Sequence, residues 1–210
     1  MQRQFTNVAI PLETTARELN SKLMLSTALA RKGFTVYFGT KDFILDASVR
    51  MGNVIYLDKG FHRGTSEPVY RQLKQAGCLV VSLDEENGVD FRDFHMLDNR
   101  MPDDFLPQMD LILLWGVAQD AHLRAKRKQY NPDRIRITGH PRFDLLKPYY
   151  HSLYHEKVDG IRRKYGEFIL FNTNSKYSNN INGREAVIRN YGSRCAGLTS
   201  VWPMTISGWP

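Results

Sequence analysis

Short, continuous apolar segments recur along this chain, and a helix-like pattern separates almost every consecutive pair of them. Apolar runs of this length, bounded by glycine, proline or polar residues, are typical of buried strands. The predicted strands are Asn7–Ile10, Thr35–Phe38, Val54–Leu57, Leu79–Leu83, Leu111–Leu114, Arg134–Thr138 and Phe168–Asn172. Helical patterns lie near residues 15–32, 41–50, 66–76, 117–129 and 149–165. This alternation predicts an α/β fold with a doubly wound parallel sheet, covered by helices on both faces.

The first predicted helix carries boundary signals at both ends, and it follows a loop without glycine. Thr15 and Glu18 have the spacing of a capping box, in which both side chains accept backbone amide protons. Residues 23–30 are apolar nearly all round, which predicts burial on more than one side, and Gly33 is placed to end the helix. The preceding loop, Pro11-Leu12-Glu13-Thr14, lacks the glycine-rich dinucleotide fingerprint, which disfavours a nicotinamide or flavin dehydrogenase.

The charge of the chain limits its partners. Its 210 residues carry a formal net charge of +7, which favours nucleotide phosphates, acidic glycans, nucleic acid or anionic membrane surfaces. The basic clusters at 124–128 and 162–164 lack interleaved aromatic residues and are typical of solvated helix faces, so we expect no nucleic acid binding.

No metal site is expected, because the two cysteines lack metal-ligand spacing. The sequence shows neither a secretion signal nor a run long enough to span a membrane, so we expect a cytoplasmic protein. Peripheral contact with the inner face of the membrane is compatible with this expectation.

The chain changes character after the predicted strand near residue 137. We expect an N-terminal domain over residues 1–148, a tyrosine-containing linker helix over 149–165 and the start of a second domain over 166–210. Residues 193–210 have neither helical nor strand periodicity and are expected to be poorly ordered. The sequence therefore predicts an incomplete second domain, as in a truncated protein.

Polar side chains follow several of the predicted strands, and carboxyl ends of parallel strands share one edge of a sheet. Glu13 and Arg17 follow the first strand at a helix N-terminus, which suits an anion; the alternative is an ordinary capped helix. Arg17 either pairs with Glu13 or contacts a ligand. Lys59 and His62 follow the third strand in a glycine-containing loop, which is either a cradle for a phosphate or carboxylate or a solvated connector.

Three acidic residues, Asp84, Glu85 and Glu86, directly follow the fourth predicted strand. Adjacent carboxylates repel one another, which is costly unless cations lie nearby. Carboxylates in a cleft serve as general base or as nucleophile toward an anomeric carbon, so Glu85 and Glu86 are the predicted catalytic residues. The alternative is an acidic surface turn.

The segment Ile135–Asp144 has the pattern of a strand that ends in a sharp turn at Gly139. The turn delivers His140, Arg142 and Asp144 to the same edge of the sheet. Two interpretations stay open: Arg142 binds a phosphate or carboxylate, or Arg142 and Asp144 pair and brace the turn.

Five segments of the chain carry a family resemblance. They are Ile10-Pro11-Leu12-Glu13, Arg17-Glu18-Leu19-Asn20, Leu83-Asp84-Glu85-Glu86, Thr138-Gly139-His140-Pro141-Arg142-Phe143-Asp144 and Phe171-Asn172-Thr173-Asn174. They resemble motifs of the bacterial surface carbohydrate biosynthesis proteins over about residues 7–184. The turn at Gly139 is also similar to turns in glycerophosphotransferases of teichoic acid synthesis and in nucleotide-sugar 2-epimerases. The chain departs from the family pattern at Asn20, at Asn87-Gly88 and at His140, where the family commonly has Asn.

The resemblance implies two Rossmann-like domains in the GT-B arrangement, an N-terminal acceptor side and a C-terminal side for the nucleotide donor. It implies transfer of a sugar from a nucleotide sugar to a glycan acceptor, without a cofactor, with Glu85 or Glu86 as catalytic carboxylate. Two alternatives stay open: a non-catalytic glycan- or nucleotide-sugar-binding module or fragment, and a nucleotide-sugar epimerase or hydrolase. The implied donor contacts are Asn172, Thr173 and Asn174, and the expected substrate-binding residues are Glu13, Arg17, Lys59, His62, His140, Arg142 and Asp144.

Overall fold

A computed structural model describes residues 5–170, 185–186 and 188–189. Six parallel strands form one sheet in the order β2-β1-β3-β4-β5-β6, which confirms the predicted doubly wound α/β fold. The strands are β1 Asn7–Leu12, β2 Thr35–Thr40, β3 Val54–Asp58, β4 Leu79–Leu83, β5 Leu111–Leu114 and β6 Ile135–Ile137. The α-helices are α1 Thr15–Arg31, α2 Lys41–Met51, α3 Ser66–Gln75, α4 His95–Arg100, α5 Val117–Lys126, α6 Pro141–Asp144 and α7 His155–Tyr165. Turns of 3₁₀ helix occupy Leu106–Gln108, Pro132–Arg134 and Pro148–Tyr154.

The core lies on both faces of the sheet, because consecutive strand residues point to opposite sides. On the first face, buried strand residues such as Tyr56 and Val80 pack with residues of α2 to α5, including Leu73 and Leu123. On the second face, Val8, Ile10, Leu57 and Val81 pack against the α1 residues Leu25 and Leu29. Near-continuous apolar strands are thus explained by burial on two sides.

Successive strands are added first on one side of β1 and then on the other, so the topological switch point lies between β1 and β3. The chain leaves β1 to form β2 on one side, and it then returns to pair β3 with the other side of β1. In doubly wound sheets, ligands bind at the carboxyl edge next to such a switch point, in the crevice between the loops that follow the two strands. The loops after β1 and β3 carry Glu13 and Lys59.

The start of α1 differs from the predicted capping box. Thr14, not Thr15, is the residue that precedes the helix, and its side chain makes no capping hydrogen bond. The carboxylate of Glu18 accepts the backbone amide proton of Glu13 at 3.0 Å, two residues further upstream than the Thr15 amide of the predicted box. The apolar residues of this helix are also less buried than the pattern predicts, since Leu23 is exposed. Two of its fully buried residues, Ser21 and Lys22, are polar.

Beyond β6 the structure departs further from the prediction. The predicted helix 149–165 is split into a 3₁₀ segment, Pro148–Tyr154, and α7. Residues 168–170 of the predicted seventh strand have no regular structure, and Phe171 and Asn172 lie outside the described residues. Two helices, α4 and α6, were not predicted; both are short, and six or fewer residues show too little periodicity to identify a helix.

The chain divides into two compact units, residues 1–156 and 157–210. This division falls inside the segment that the sequence predicts as a linker helix. Within the second unit, the structure describes the greater part of α7 and a few residues beyond it. No helix among the described residues combines the length and the apolar character needed to cross a bilayer.

Candidate functional site

Three carboxylates converge on one ammonium group at the crevice between β1 and β3. The Nζ atom of Lys59 lies 2.8 Å from Oε2 of Glu13, 3.0 Å from Oε1 of Glu18 and 3.3 Å from Oε1 of Glu86. These groups come from the loop after β1, the first turn of α1, the loop after β3 and the turn after β4. Loops that are far apart in the sequence therefore build one charged cluster, which we call the Lys59 cluster.

Two further cations balance the charge of the Lys59 cluster. Arg17 donates to Oε1 of Glu18 at 2.7 Å, and Lys41 of α2 donates to Oε1 of Glu13 at 3.0 Å. Arg17 therefore pairs with Glu18, not with Glu13 as one interpretation of the sequence had it. With three acids and three bases, the cluster is close to electroneutral, which makes a site for a simple anion less favourable than the sequence suggested.

The electrostatics favour the charged forms of Glu13, Glu18 and Lys59. Burial opposes the charge on Glu18, but hydrogen bonds from the Glu13 amide, Arg17 and Lys59 lower the pKa of Glu18 to about 2. Burial likewise opposes ionisation of Glu13, whose pKa is lowered because Lys59 and Lys41 bond to it. The pKa of Lys59 is raised despite burial, since Glu13 and Glu18 bond its charged form.

The position of Glu86 depends on a glycine. A Cβ atom at residue 60 would lie 2.5 Å from Cγ of Glu86, which is closer than real Cβ contacts come. Gly60 therefore lets the Glu86 side chain pass over the loop after β3 and reach Lys59. His62 lies at the rim of the cluster, with its Nε2 3.9 Å from Oε1 of Glu86 and a largely exposed side chain.

Each acid of the turn after β4 meets a different cation. Asp84 accepts from Nε of Arg100 at 2.6 Å, and burial raises the pKa of Asp84 despite this partner. Burial differs along the turn, since the side chains of Asp84 and Glu85 are 2% exposed and that of Glu86 is 24% exposed. The partners are Arg100 of α4 for Asp84, Lys22 of α1 for Glu85 and Lys59 for Glu86.

The turn after β6 docks on the same acidic turn. Arg142 donates from one guanidinium nitrogen to the backbone carbonyl of Glu85 and, at 3.2 Å, to that of Asn87. The backbone amide of Arg142 donates to Nδ1 of His140, so the other ring nitrogen carries the proton and donates to the carbonyl of Asn87 at 2.9 Å. Burial and the nearby Arg142 charge lower the pKa of His140, which keeps the imidazole neutral.

Aromatic rings close the β5–β6 side of the edge. His140 lies between Trp115 and Phe143, with ring centroids 4.9 Å and 4.8 Å away. The indole nitrogen of Trp115 donates to the carbonyl of Asp84 at 2.8 Å, and the Arg100 guanidinium lies over the same ring. Phe143 is half exposed, so one aromatic ring at this edge is open to a ligand.

The structure brings most of the described candidate residues together, and Asp144 is the exception among them. Asp144 does not join the cluster; it pairs with Lys147 at 2.6 Å and not with Arg142. The predicted donor contacts Asn172, Thr173 and Asn174 lie outside the described residues. At the carboxyl edge, direct contacts through side chain or backbone, and for Arg17 a contact through Glu18, link Glu13, Arg17, Lys59, His62, Glu85, Glu86, His140 and Arg142.

Sequence reasoning missed the cations that neutralise the acidic turn. Lys22 lies inside a helix and Arg100 in an unpredicted short helix, and neither position has a motif that marks it. The only signal was indirect: three adjacent acids after a buried strand require cations nearby.

The comparisons with known proteins identify no relative. No family model, no curated protein and no solved structure matches this chain. Among the described residues, no group of three or more His, Cys, Asp or Glu side chains is arranged to hold a metal ion. The side chains of the site offer mixed hydrogen-bond donors and acceptors, two partly exposed carboxylates (Glu13 and Glu86) and an aromatic ring.

Proposed function

We propose that this chain provides the acceptor side of a GT-B-like glycosyltransferase of bacterial surface polysaccharide biosynthesis. In this proposal a sugar passes from a nucleotide donor to a glycan acceptor, at the cytoplasmic face of the membrane. The proposal combines the resemblance of the sequence motifs with a site at the carboxyl edge of a doubly wound sheet. The net charge of +7 is compatible with an anionic membrane surface and with a nucleotide diphosphate.

One observation supports the proposal most directly: carboxylates from the loop after β1, the start of α1 and the turn after β4 all meet Lys59 at the carboxyl edge. Sugar hydroxyls both donate and accept hydrogen bonds, and alternating carboxylate and cationic groups match them. Glu13 and Arg17 are about two-fifths exposed, and Glu86 is about one-quarter exposed, so a ligand can reach them. The near neutrality of the cluster favours such a hydroxyl-rich ligand over a free anion.

Glu86 is the catalytic base of the proposed reaction. An acceptor hydroxyl loses its proton to the Glu86 carboxylate while its oxygen forms a bond to the anomeric carbon of the donor sugar. The bond from that carbon to the donor phosphate oxygen breaks, and the nucleoside diphosphate (or the monophosphate, for a CMP-sugar) leaves with the electron pair. The Glu86 carboxylate lies 3.3 Å from Nζ of Lys59 and is partly exposed, whereas Glu85 is too buried to contact a substrate.

The first test measures ligand binding by the full chain. If the described residues form the acceptor side, as proposed, the chain should bind a glycan. Purified protein is applied to a bacterial glycan array and titrated calorimetrically with UDP-, GDP-, CMP- and dTDP-sugars. We expect glycan binding, and we expect Glu13→Gln to weaken it at least tenfold through the loss of its ionic hydrogen bonds. Glu156→Gln, which changes an exposed glutamate in the same way, is the control.

The second test is turnover, measured as nucleotide release with each sugar donor in the presence and absence of a bound glycan. Glu86→Gln should lower acceptor-dependent release by a factor of about 10²–10⁴, the usual contribution of a general base. Glycan binding without donor-dependent release would indicate a binding module, and release without acceptor would indicate an epimerase or hydrolase. Failure to bind any glycan or nucleotide sugar contradicts the proposal.

A further inference from the structure

We infer that Lys22 and Glu85 form a buried positioning pair that holds the acidic turn in the orientation in which Glu86 reaches Lys59. This inference assigns Glu85 a different role from the catalytic one expected from its sequence. It rests on the proposed function only for the chemical role of Glu86. The geometric part, that the pair holds the turn, can be tested without a ligand.

The pair is almost completely removed from solvent. The Nζ atom of Lys22 lies 2.7 Å from Oε2 of Glu85, and the two side chains are 1% and 2% exposed. The contact is an ion pair: within the described residues, the Lys22 ammonium and the Glu85 carboxylate make no hydrogen bond of good geometry, either to each other or to another group. Each charge therefore depends on the other, and no substrate can reach either.

Glu85 connects three elements of the site. Its backbone amide donates to the carbonyl of Lys59 at 2.8 Å, and its carbonyl accepts from Arg142. Its side chain meets Lys22 on α1, one turn after Glu18. The loop after β3, the helix after β1 and the turn after β6 are thus all joined at this one residue.

The consequence for Glu86 is geometric. Its backbone begins at the Glu85 carbonyl, so the orientation of the Glu86 side chain follows from how residue 85 is held. The Glu86 carboxylate must cross Gly60 to reach Lys59 at 3.3 Å, and that path leaves little freedom for the turn to shift. A loosened residue 85 would move the Glu86 carboxylate away from Lys59.

A charged pair suits this role better than an apolar contact. Apolar side chains of similar volume usually pack as stably as a buried ion pair, but they prefer no single partner. An ammonium and a carboxylate without alternative partners have one favourable arrangement. We therefore assign the pair to orientation of the turn and not to stabilisation of the fold.

The test uses a double variant, Lys22→Met/Glu85→Leu, which removes both charges and leaves no buried charge unpaired. Amide hydrogen exchange is followed by NMR for residue 85, whose amide bonds to Lys59, and for the β3 residues Tyr56 and Leu57. We expect protection at residue 85 to fall at least tenfold while protection in β3 stays within twofold. The matched control, Asp46→Asn/Arg50→Gln, removes an exposed ion pair of α2 and should leave all three amides unchanged.

Unchanged protection at residue 85, or an equal loss at residue 85 and in β3, would overturn the inference, because either result indicates no local tether. Lys22→Arg provides a second measurement if the double variant does not fold. It keeps the charge, so residue 85 should stay protected within threefold of wild type, whereas a tenfold loss there also overturns the inference. If the chain binds no glycan or nucleotide sugar but the exchange results hold, the proposed function fails and the positioning pair stands.

Discussion

The pH dependence of stability provides a quantitative test through Asp58, a fully buried carboxylic acid at the end of β3. Burial raises the pKa of Asp58 from 3.8 to about 6, although Tyr70 donates to Oδ2 at 2.5 Å and the amide of Gly60 donates at 3.3 Å. In the folded protein the carboxyl therefore holds its proton over a range in which the unfolded chain has lost it. The perturbation that isolates this effect is Asp58→Asn, which resembles the protonated acid in shape and charge.

The sign follows from which state binds more protons. Between about pH 4 and pH 6 the folded state binds more, so the free energy of unfolding of the wild-type protein decreases as the pH rises. The pKa difference of about 2 units corresponds to ~3 kcal/mol at 1.36 kcal/mol per unit. Because the group is fully buried, solvent screening removes little of this amount. Asp58→Asn should match the wild type near pH 4 and exceed it by up to ~3 kcal/mol above pH 7.

Urea unfolding followed by far-ultraviolet circular dichroism between pH 4 and pH 8 measures this difference directly. His140 acts in the opposite direction, because its lowered pKa makes stability fall as the pH drops below its ordinary value near 6.5. Both proteins contain His140, so its contribution cancels when the free energies of wild type and variant are subtracted. Stability curves that stay parallel over the whole range would refute the argument, since Asp58 would then titrate alike in both states.

Two further predictions concern positions around the acidic turn, and the same urea unfolding measures both. Gly60→Ala should lower the free energy of unfolding by about 1–3 kcal/mol, because the new Cβ displaces Glu86. The control is Gly160→Ala inside α7, where the space is open and the free energy of unfolding should rise by roughly 1 kcal/mol. Equal effects of the two substitutions would contradict the steric argument. Arg100→Leu should lower the free energy of unfolding by about 3–5 kcal/mol, because Asp84 stays buried without its partner. A decrease below about 1 kcal/mol would contradict that pairing.

The strands were predictable because each is a short apolar run, and burial on both faces of the sheet produces that composition. The start of α1 near residue 15 was predicted correctly, but its capping box was not, because Thr-x-x-Glu is a pattern of two side chains and the structure uses only the carboxylate. Glu18 meets the Glu13 amide together with Arg17 and Lys59, so tertiary partners, not the local box, determine its position.

The sequence predicted where the candidate site lies, but it did not predict which of its residues can reach a ligand. Parallel strands place their carboxyl ends at one edge, so the convergence of residues such as Lys59 and Arg142 follows from topology alone. Burial does not follow from topology. Glu85 and Glu86 are the same residue type at adjacent positions, and only their surroundings distinguish the enclosed one from the one that reaches the crevice.

The acidic turn shows how one short segment combines support and chemistry. Because three adjacent carboxylates repel one another, each needs a cation of its own, and each cation comes from a different element. The two enclosed pairs fix the turn against its neighbouring helices, and Glu86 alone stays within reach of solvent. Any ligand chemistry at this turn must therefore pass through Glu86. Activity that survives Glu86→Gln would place the reacting groups at another part of the edge, next to Phe143 and His140.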